Sequence, residues 1–252
     1  AALFDMQGKE ICVAARSTPV EEPHFGWSEF DMDTDWAEVS NVIRDLLAKS
    51  GVNKQEIRAL GLGGKGVGVC FLDANKRPTR KAILWNDARC ADMTREWIET
   101  GKMEQIFKAT SNWLMTGDVG ILLPWMKEHE PEVLERTKYF CLNTNWMCYN
   151  LTGEFGSNAT DMYSQVDETS DKVMELEGIL DLKDKFLPMQ DPWELCGYVT
   201  KKASDETGLP EGLPVASIGW DVVCCTAGVG ANRPGQANII LGTSGVIMLQ
   251  MP

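Results

Sequence analysis

The sequence predicts an α/β fold, because strand-like segments are interleaved with longer segments whose apolar residues follow helical spacing. The chain opens with a strand-like run at 1–5, a glycine-containing turn and an alternating run at 11–14, which is typical of a hairpin. Apolar residues then recur at helical spacing between 39 and 47, and Thr34 or Asp35 is the expected N-cap of that helix. Mixed strands and helices with an opening hairpin therefore argue for α/β.

The remaining elements continue this mixture. Further strands are expected at 57–62, 67–72, 82–85, 213–218, 237–241 and 246–249. Helices are expected at 120–129, at 138–151, at 222–228 and in a segment through Ile98 that Asn86 and Asp87 can cap. Because a strand begins at the first residue and a strand pair closes the sequence, we expect that the full protein extends beyond both ends.

Composition limits the class of protein. Of 252 residues, 44% are hydrophobic and 24% are charged, which is typical of a soluble globular protein of one large or two small domains. The net charge of −13 argues against a nucleic-acid partner. Eight scattered cysteines are expected to be reduced thiols, and two histidines argue against a histidine-rich metal site. Without an apolar run of about 18 residues, no membrane association is indicated, and a cytoplasmic protein is expected.

Asp221 is the leading candidate for a catalytic residue. It follows the strand-like run 213–218 and Gly219, so we expect it at the carboxyl edge of a sheet, where open α/β sheets bind ligands. A carboxylate at a strand-to-helix junction can equally serve as a helix N-cap. The sequence of this segment alone leaves both roles open.

A turn with small side chains lies downstream of Asp221. Residues 242–245 read Gly-Thr-Ser-Gly between two strand-like runs, so backbone N–H groups and two hydroxyls can approach phosphate oxygens closely. A plain hairpin turn is the alternative. A carboxylate that orients an alcohol and a loop that holds a polyphosphate are, together, the two parts that phosphoryl transfer needs.

The glycine-rich segment at 61–66 matches the dinucleotide-binding pattern GxGxxG only formally. That pattern must open a helix, whereas residues 67–72 are strand-like, so we reject a nicotinamide-dependent oxidoreductase. The segment is not a Walker loop either, because Lys65 is followed by Gly66 and not by serine or threonine. It remains either a bend between strands or a loop that faces a ligand.

A second strand-to-helix junction contains Trp85, Asp87 and Arg89. The tryptophan can pack on the apolar face of a sugar, and the two charged residues can bond hydroxyls or each other. A core tryptophan, a helix cap and a surface ion pair explain the same residues equally well.

Several blocks, in order along nearly the whole chain, resemble one family. They are ALFD at 2–5, FLD at 71–73, AILWNDAR at 82–89, WMKEHEPE at 125–132, NLTGEF at 150–155 and LGTSG at 241–245. Together they resemble the FGGY carbohydrate kinases, in particular the xylulose-type kinases. This resemblance implies an actin-like (RNase-H-like) fold, with a mixed sheet flanked by helices. It also implies a sugar-binding domain at 1–232 and the opening strands of an ATP-binding domain at 233–252.

The resemblance further implies roles for individual residues. Asp221 corresponds to the general base, and Gly242 and Thr243 correspond to contacts with the ATP phosphates. The family's substrate loop corresponds to Lys65, Gly66 and Val67, and the expected sugar contacts are these three residues together with Val222, which follows the base, and Trp85 and Asp87 of the second junction. A small-molecule sugar and MgATP are the expected ligands, with Mg²⁺ supplied with the nucleotide rather than by a protein metal site, and homodimerisation is left open.

Two departures from the family pattern concern the identity of the sugar. The substrate loop reads Gly66-Val67 where D-xylulose kinases usually have Met-His, and Val222 follows the base where they usually have asparagine. The loop is therefore more similar to that of L-xylulose-type or uncharacterised relatives. The expected activity is ATP-dependent phosphorylation of a hydroxyl of a ketose or polyol, with xylulose as the type substrate. A non-catalytic sugar-binding or regulatory module on the same fold is the alternative.

Overall fold

The computed structural model shows the mixed α/β architecture that the sequence predicts, and describes residues 1–155, 157–158, 170–191, 194–242 and 245–251. Its α-helices are α1 Met32–Ser50, α2 Ala91–Glu99, α3 Lys102–Thr110, α4 Val119–His129, α5 Pro131–Arg136, α6 Asn143–Thr152, α7 Ser170–Glu177, α8 Lys201–Thr207 and α9 Asp221–Gly228. Short 3₁₀ helices occur at Lys54–Glu56 and Leu180–Lys185. Within these described ranges, no helix is both long and apolar enough to cross a membrane.

The strands are short and pair in small groups. They are β1 Ala2–Phe4, β2 Glu10–Val13, β3 Glu29–Phe30, β4 Leu60–Gly64, β5 Cys70–Leu72, β6 Ala82–Ile83, β7 Tyr139–Cys141, β8 Ser157–Asn158, β9 Met189–Gln190, β10 Leu195–Tyr198, β11 Pro214–Trp220, β12 Ala237–Leu241 and β13 Gly245–Leu249. Strand β11 pairs with β4 in parallel and with β10 in antiparallel orientation, which gives a mixed sheet. β8 and β9 are parallel, whereas β1–β2, β3–β6, β5–β7 and β12–β13 are antiparallel. The hairpins predicted near both ends of the sequence are confirmed.

Two apolar clusters lie on opposite sides of β5 and β7. Phe71 and Phe140 belong to one cluster, whereas Cys70, Leu72 and Cys141 belong to the other. Successive strand side chains point to opposite faces, so these strands form a layer between two groups of helices. Residues of α3 and α4 fill the first cluster, and residues of α1 and α6 fill the second.

Helix α1 begins earlier than predicted. The carboxylate of Asp31 accepts a hydrogen bond from the Thr34 N–H at 2.8 Å, so Asp31 is the N-cap. The prediction of Thr34 or Asp35 as the cap is therefore wrong. Asp35 lies inside the first turn and is buried, which frees its carboxylate for contacts with other elements. The helix ends at Gly51, whose φ of 66° is a left-handed conformation that favours glycine.

Two strand boundaries around the glycine-rich segment also differ from the prediction. Strand β4 starts at Leu60, after a 3₁₀ turn, and extends to Gly64 rather than ending at 62. The strand predicted at 67–72 starts only at Cys70, because Val67 and Gly68 have φ values of 47° and 83°. Residues 65–69 therefore form a loop between β4 and β5.

The helix predicted at 120–129 is confirmed as α4, Val119–His129, whereas two other predicted helices are shorter than expected. The helix predicted to begin at Asn86 or Asp87 begins at Ala91, with Cys90 as N-cap, so the predicted cap is wrong. The helix predicted at 138–151 divides into β7 and α6, because Leu142 is extended, with φ −88° and ψ 169°. Bulky apolar residues occupy both parts, and periodicity alone does not separate them.

Candidate active site

The parallel pair β4 and β11 places one group of the predicted site residues, namely Lys65, Gly66, Val67, Asp221 and Val222, next to one edge of the sheet. The register pairs Gly63 with Gly219 and Gly64 with Trp220. Both strands end at this pair, and the carboxyl ends of parallel strands meet at the same edge. The loop that begins at Lys65 and the residue Asp221 therefore emerge side by side.

Asp221 is the first residue of α9 and is exposed. Its Oδ1 accepts a hydrogen bond from the N–H of Val222 at 2.8 Å. The N-cap position is held by Trp220, which forms no side-chain capping bond. The carboxylate thus combines a local backbone contact, which fixes its direction, with access to solvent at the sheet edge. A carboxylate in this position can accept a proton from a bound alcohol.

Lys65 connects the loop to two helices. Its Nζ lies 3.6 Å from Oδ1 of Asp35 in α1 and 4.4 Å from the ring centre of Phe30. The other oxygen of Asp35 accepts a hydrogen bond from Nδ2 of Asn143, the first residue of α6, at 2.7 Å. The Lys65 side chain is about one-third exposed, so part of it remains accessible to solvent.

The backbone of the loop is held by close contacts that only glycine permits. A Cβ on Gly66 would lie 1.6 Å from Nε1 of Trp220, and one on Gly68 would lie 2.4 Å from the Ile83 carbonyl oxygen. The Gly68 N–H donates to the carbonyl oxygen of Gly117 at 2.9 Å. Gly66 is buried and Val67 is half-buried. The loop is thus packed against β11, the end of β6 and the segment before α4.

Comparison with known protein families decides the family of this chain. Residues 1–228 match the model of the N-terminal domain of the FGGY family of carbohydrate kinases. The chain belongs to this family. The resemblance of the sequence blocks to FGGY kinases is therefore confirmed.

Curated relatives of this FGGY-family chain include several kinases. The chain is 33% identical over 256 residues to a probable L-xylulose kinase of Pasteurella multocida, covering 98% of this chain and 52% of that protein. It is 31% identical over 249 residues to the L-xylulose/3-keto-L-gulonate kinase of Escherichia coli, covering 96% and 50%. The chain therefore spans about half the length of the curated relatives that it matches.

Solved structures confirm the actin-like fold of this FGGY-family chain. A xylulose kinase from Rhodospirillum rubrum is 26% identical and superposes with a TM-score of 0.83, covering 98% of this chain and 52% of that one. A gluconate kinase from Lactobacillus acidophilus, at 18% identity, superposes with a TM-score of 0.88 and covers 98% and 50%. At this low identity, the similarity to the gluconate kinase is evidence for the fold only.

The junction with Trp85, Asp87 and Arg89 contains a buried ion-pair network. Both Asp87 oxygens accept hydrogen bonds from Arg89, at 2.8 and 2.9 Å, and one also accepts the Ser28 N–H at 2.6 Å. Arg89 continues to Glu29 at 2.6 Å. These contacts give Asp87 a structural role, and its contact with a sugar remains a prediction. Trp85 is half-buried next to this network.

The sequence gives no prediction for two further residues, Trp220 and Asp118. Trp220 lies between Gly219 and the predicted base, and its position next to Asp221 was the available signal.

Asp118 follows Gly117, and its buried carboxylate accepts the Met115 N–H at 2.6 Å. Burial raises the pKa of Asp118 to about 6. Nothing in the local sequence distinguishes this aspartate from an ordinary helix cap.

A cavity of about 720 Å³ lies beside the start of α1 and beside α6. It is lined by residues at the start of α1, in the turn between β5 and β6, on α6 and at Lys202, and none of the predicted site residues lines it. Geometry at the strand ends, rather than the depth of a cavity, therefore defines the candidate site. Of the predicted nucleotide contacts, Gly242 is exposed after β12, and Thr243 lies outside the described residues.

Proposed function

We propose that the full protein is a carbohydrate kinase that transfers the γ-phosphoryl group of MgATP to a hydroxyl of a ketose or polyol, with xylulose as the type substrate. The observation that carries this proposal is the position of Asp221, exposed at the carboxyl edge beside the loop that follows β4. The family of the chain and the names of its L-xylulose kinase relatives support the sugar class.

In this mechanism Asp221 is the general base. One of its carboxylate oxygens takes the proton of the substrate hydroxyl as the hydroxyl oxygen forms its bond to the γ-phosphorus and the bond to the ADP oxygen breaks. MgATP, when bound, supplies the phosphoryl group and the ADP leaving group. The transition state is loose, so the protein contributes mainly position and charge.

The loop after β4 and its neighbours hold the sugar in this proposal. The ammonium group of Lys65 is a hydrogen-bond donor for hydroxyl oxygens, and Asp35 and Phe30 restrict its position. Val67, Trp85 and Val222 are half-buried, and they offer apolar surface for the carbon chain of the sugar.

We also propose that 1–232 form the sugar-binding domain and that 233–252 begin the ATP-binding domain. The hairpin β12–β13 supports this division, because one of its faces carries the exposed apolar residues Ile239, Leu241 and Ile247. An exposed apolar patch is typical of a surface that further protein covers.

Gly242 is exposed without a side chain, so a phosphate oxygen can approach its backbone. Among the described residues, no group of three or more His, Cys, Asp or Glu could hold a metal ion, and we propose that Mg²⁺ binds with the nucleotide.

A coupled assay of ADP release by the full-length protein tests this function. We expect ADP release that depends on the sugar, across a panel of pentuloses, hexuloses and polyols, with a pentulose among the best substrates. Sugar binding in calorimetry without any ADP release would contradict the kinase proposal and would favour a non-catalytic sugar-binding module.

A further inference from the structure

The cavity of about 720 Å³ beside α1 and α6 is lined mainly by polar and charged side chains. Five of these side chains are cationic and two are acidic, namely Lys76, Arg77, Arg80, Lys81 and Lys202 against Asp31 and Asp33. The chain as a whole has a net charge of −13, so the charge balance of this cavity is the opposite of that of the protein. Clefts lined by one sign of charge concentrate ions of the other sign, so this lining favours an anion.

Two of the five cations are already paired with glutamates. Arg80 forms ion pairs with Glu29 and Glu130, and its side chain is mostly buried. Lys81 forms an ion pair with Glu21. These two residues therefore stabilise the wall of the cavity more than they supply charge to a ligand.

The other three cations remain available to a ligand. Arg77 is exposed and forms no ion pair with any residue that the structure describes. Lys202 lies 3.8 Å from Glu206, with its side chain about three-quarters exposed. The Nζ of Lys76 lies 4.7 Å from the ring centre of Tyr149, and a ring face attracts an ammonium group without neutralising it.

The wall that α1 and α6 contribute is aromatic and carries one free carboxylate. The rings of Trp146 and Tyr149 are stacked, with their centres 5.9 Å apart, and both residues line the cavity. The indole N–H of Trp146 donates to the Met32 carbonyl oxygen at 3.1 Å, which fixes this ring against the start of α1. The carboxylate of Asp31 is engaged as the N-cap of α1, so Asp33 is the acidic group that opposes an anion.

We propose that this cavity is a binding site, distinct from the candidate active site, for a small phosphorylated organic molecule. Lys76, Arg77 and Lys202 bind the phosphate group, and the aromatic wall packs against the carbon part. The cavity volume lies within the range of small-molecule sites, about 300–1,000 Å³. The inference does not depend on the proposed kinase activity, because none of the predicted site residues lines this cavity.

Titration calorimetry of the full-length protein with glucose 6-phosphate and with inorganic phosphate tests the site. We expect glucose 6-phosphate to bind more tightly, because only the sugar phosphate also contacts the aromatic wall. In the double variant Arg77→Ala with Lys202→Ala, its affinity should fall about 10-fold or more, because two charge-assisted contacts are lost. Asp33→Asn should raise the affinity by about threefold, because it removes the opposing charge.

Arg95→Ala with Lys108→Ala is the matched control. It also removes one arginine and one lysine, and both side chains are largely exposed on α2 and α3. We expect this control to bind glucose 6-phosphate like wild type. All four substituted cations are exposed, so both double variants should fold, and thermal unfolding checks this.

Three results would overturn the inference. Equal losses in the two double variants would show a general attraction of anions rather than a site. Binding that is unchanged in Arg77→Ala with Lys202→Ala would lie elsewhere on the protein. A wild-type protein that does not bind glucose 6-phosphate would also exclude the site. Inorganic phosphate that binds as tightly, with the same loss in the cavity variant, would assign the cavity to free phosphate and overturn the organic part of the proposal.

Discussion

At the scale of single residues, Asp118 is a buried carboxylate whose described partner is a backbone N–H. The Met115 N–H lies 2.6 Å from its Oδ2. Burial raises its pKa from 3.8 to about 6, which the hydrogen bond only partly opposes. The folded protein therefore binds this proton more tightly than the unfolded chain does. The resulting stabilisation is fully present below pH 3.8 and is lost as the pH rises through about 6.

We therefore predict that Asp118→Asn changes the pH dependence of stability. The amide stays neutral, so the variant should be more stable than wild type at pH 8, by up to about 3 kcal/mol. Near pH 4 the two proteins should be similarly stable. Urea unfolding at the two pH values measures the difference. The same stability difference at both pH values would contradict the prediction.

Arg89 is the buried cation of an ion-pair network. Its side chain is fully buried, bonds Asp87 and Glu29, and lies 3.9 Å from the ring centre of Trp27. Arg89→Ala leaves the Asp87 carboxylate buried without its cation, so we expect a loss of about 3–5 kcal/mol in the free energy of unfolding. Chemical denaturation measures this loss.

Arg95→Ala is the control for that experiment. Arg95 pairs with Asp92 at 3.0 Å, but both side chains are largely exposed. Exposed pairs contribute little because water and salt screen them, so this variant should unfold almost like wild type. Equal losses in the two variants would show that the burial of the Arg89 network is not what stabilises the fold.

At the scale of elements, α1 depends on its cap. The Asp31 carboxylate satisfies the Thr34 N–H, one of the free N–H groups of the first turn. Asp31→Ala should lower the free energy of unfolding by about 1 kcal/mol. Asp33→Ala, two residues after the N-cap, should lower it less. Thermal unfolding of both variants checks the order. A larger effect at Asp33 would contradict the assignment of the cap.

Element boundaries were predictable only where local chemistry determines them. Gly51 ends α1 as expected, because its left-handed φ of 66° favours glycine. The cap was misassigned because Asp31, Thr34 and Asp35 are all capping residue types within one turn. Asp87 is also a capping residue type, but its carboxylate bonds Arg89 and the helix begins only at Ala91, with Cys90 as N-cap.

At the scale of the whole molecule, pairing over long sequence distance determines the site. The sequence placed Asp221 after a strand and Lys65 in a glycine-rich loop, yet it did not show that β4 and β11 are neighbours. That pairing joins residues 60–64 to 215–220. It depends on a core to which α1, α6 and the strands all contribute. The fit of Trp220 on Gly66 follows from the same pairing, so no local pattern could reveal it.

Turnover of Asp221→Asn in the full-length protein tests the central claim most directly. Asparagine keeps the size of the side chain and its ability to accept the Val222 N–H, but it is a far weaker base. We expect xylulose-dependent ADP release to fall by about 10²–10⁴-fold, with xylulose affinity in calorimetry nearly unchanged. ADP release at the wild-type rate would show that Asp221 does not accept the proton, and would contradict the proposed mechanism.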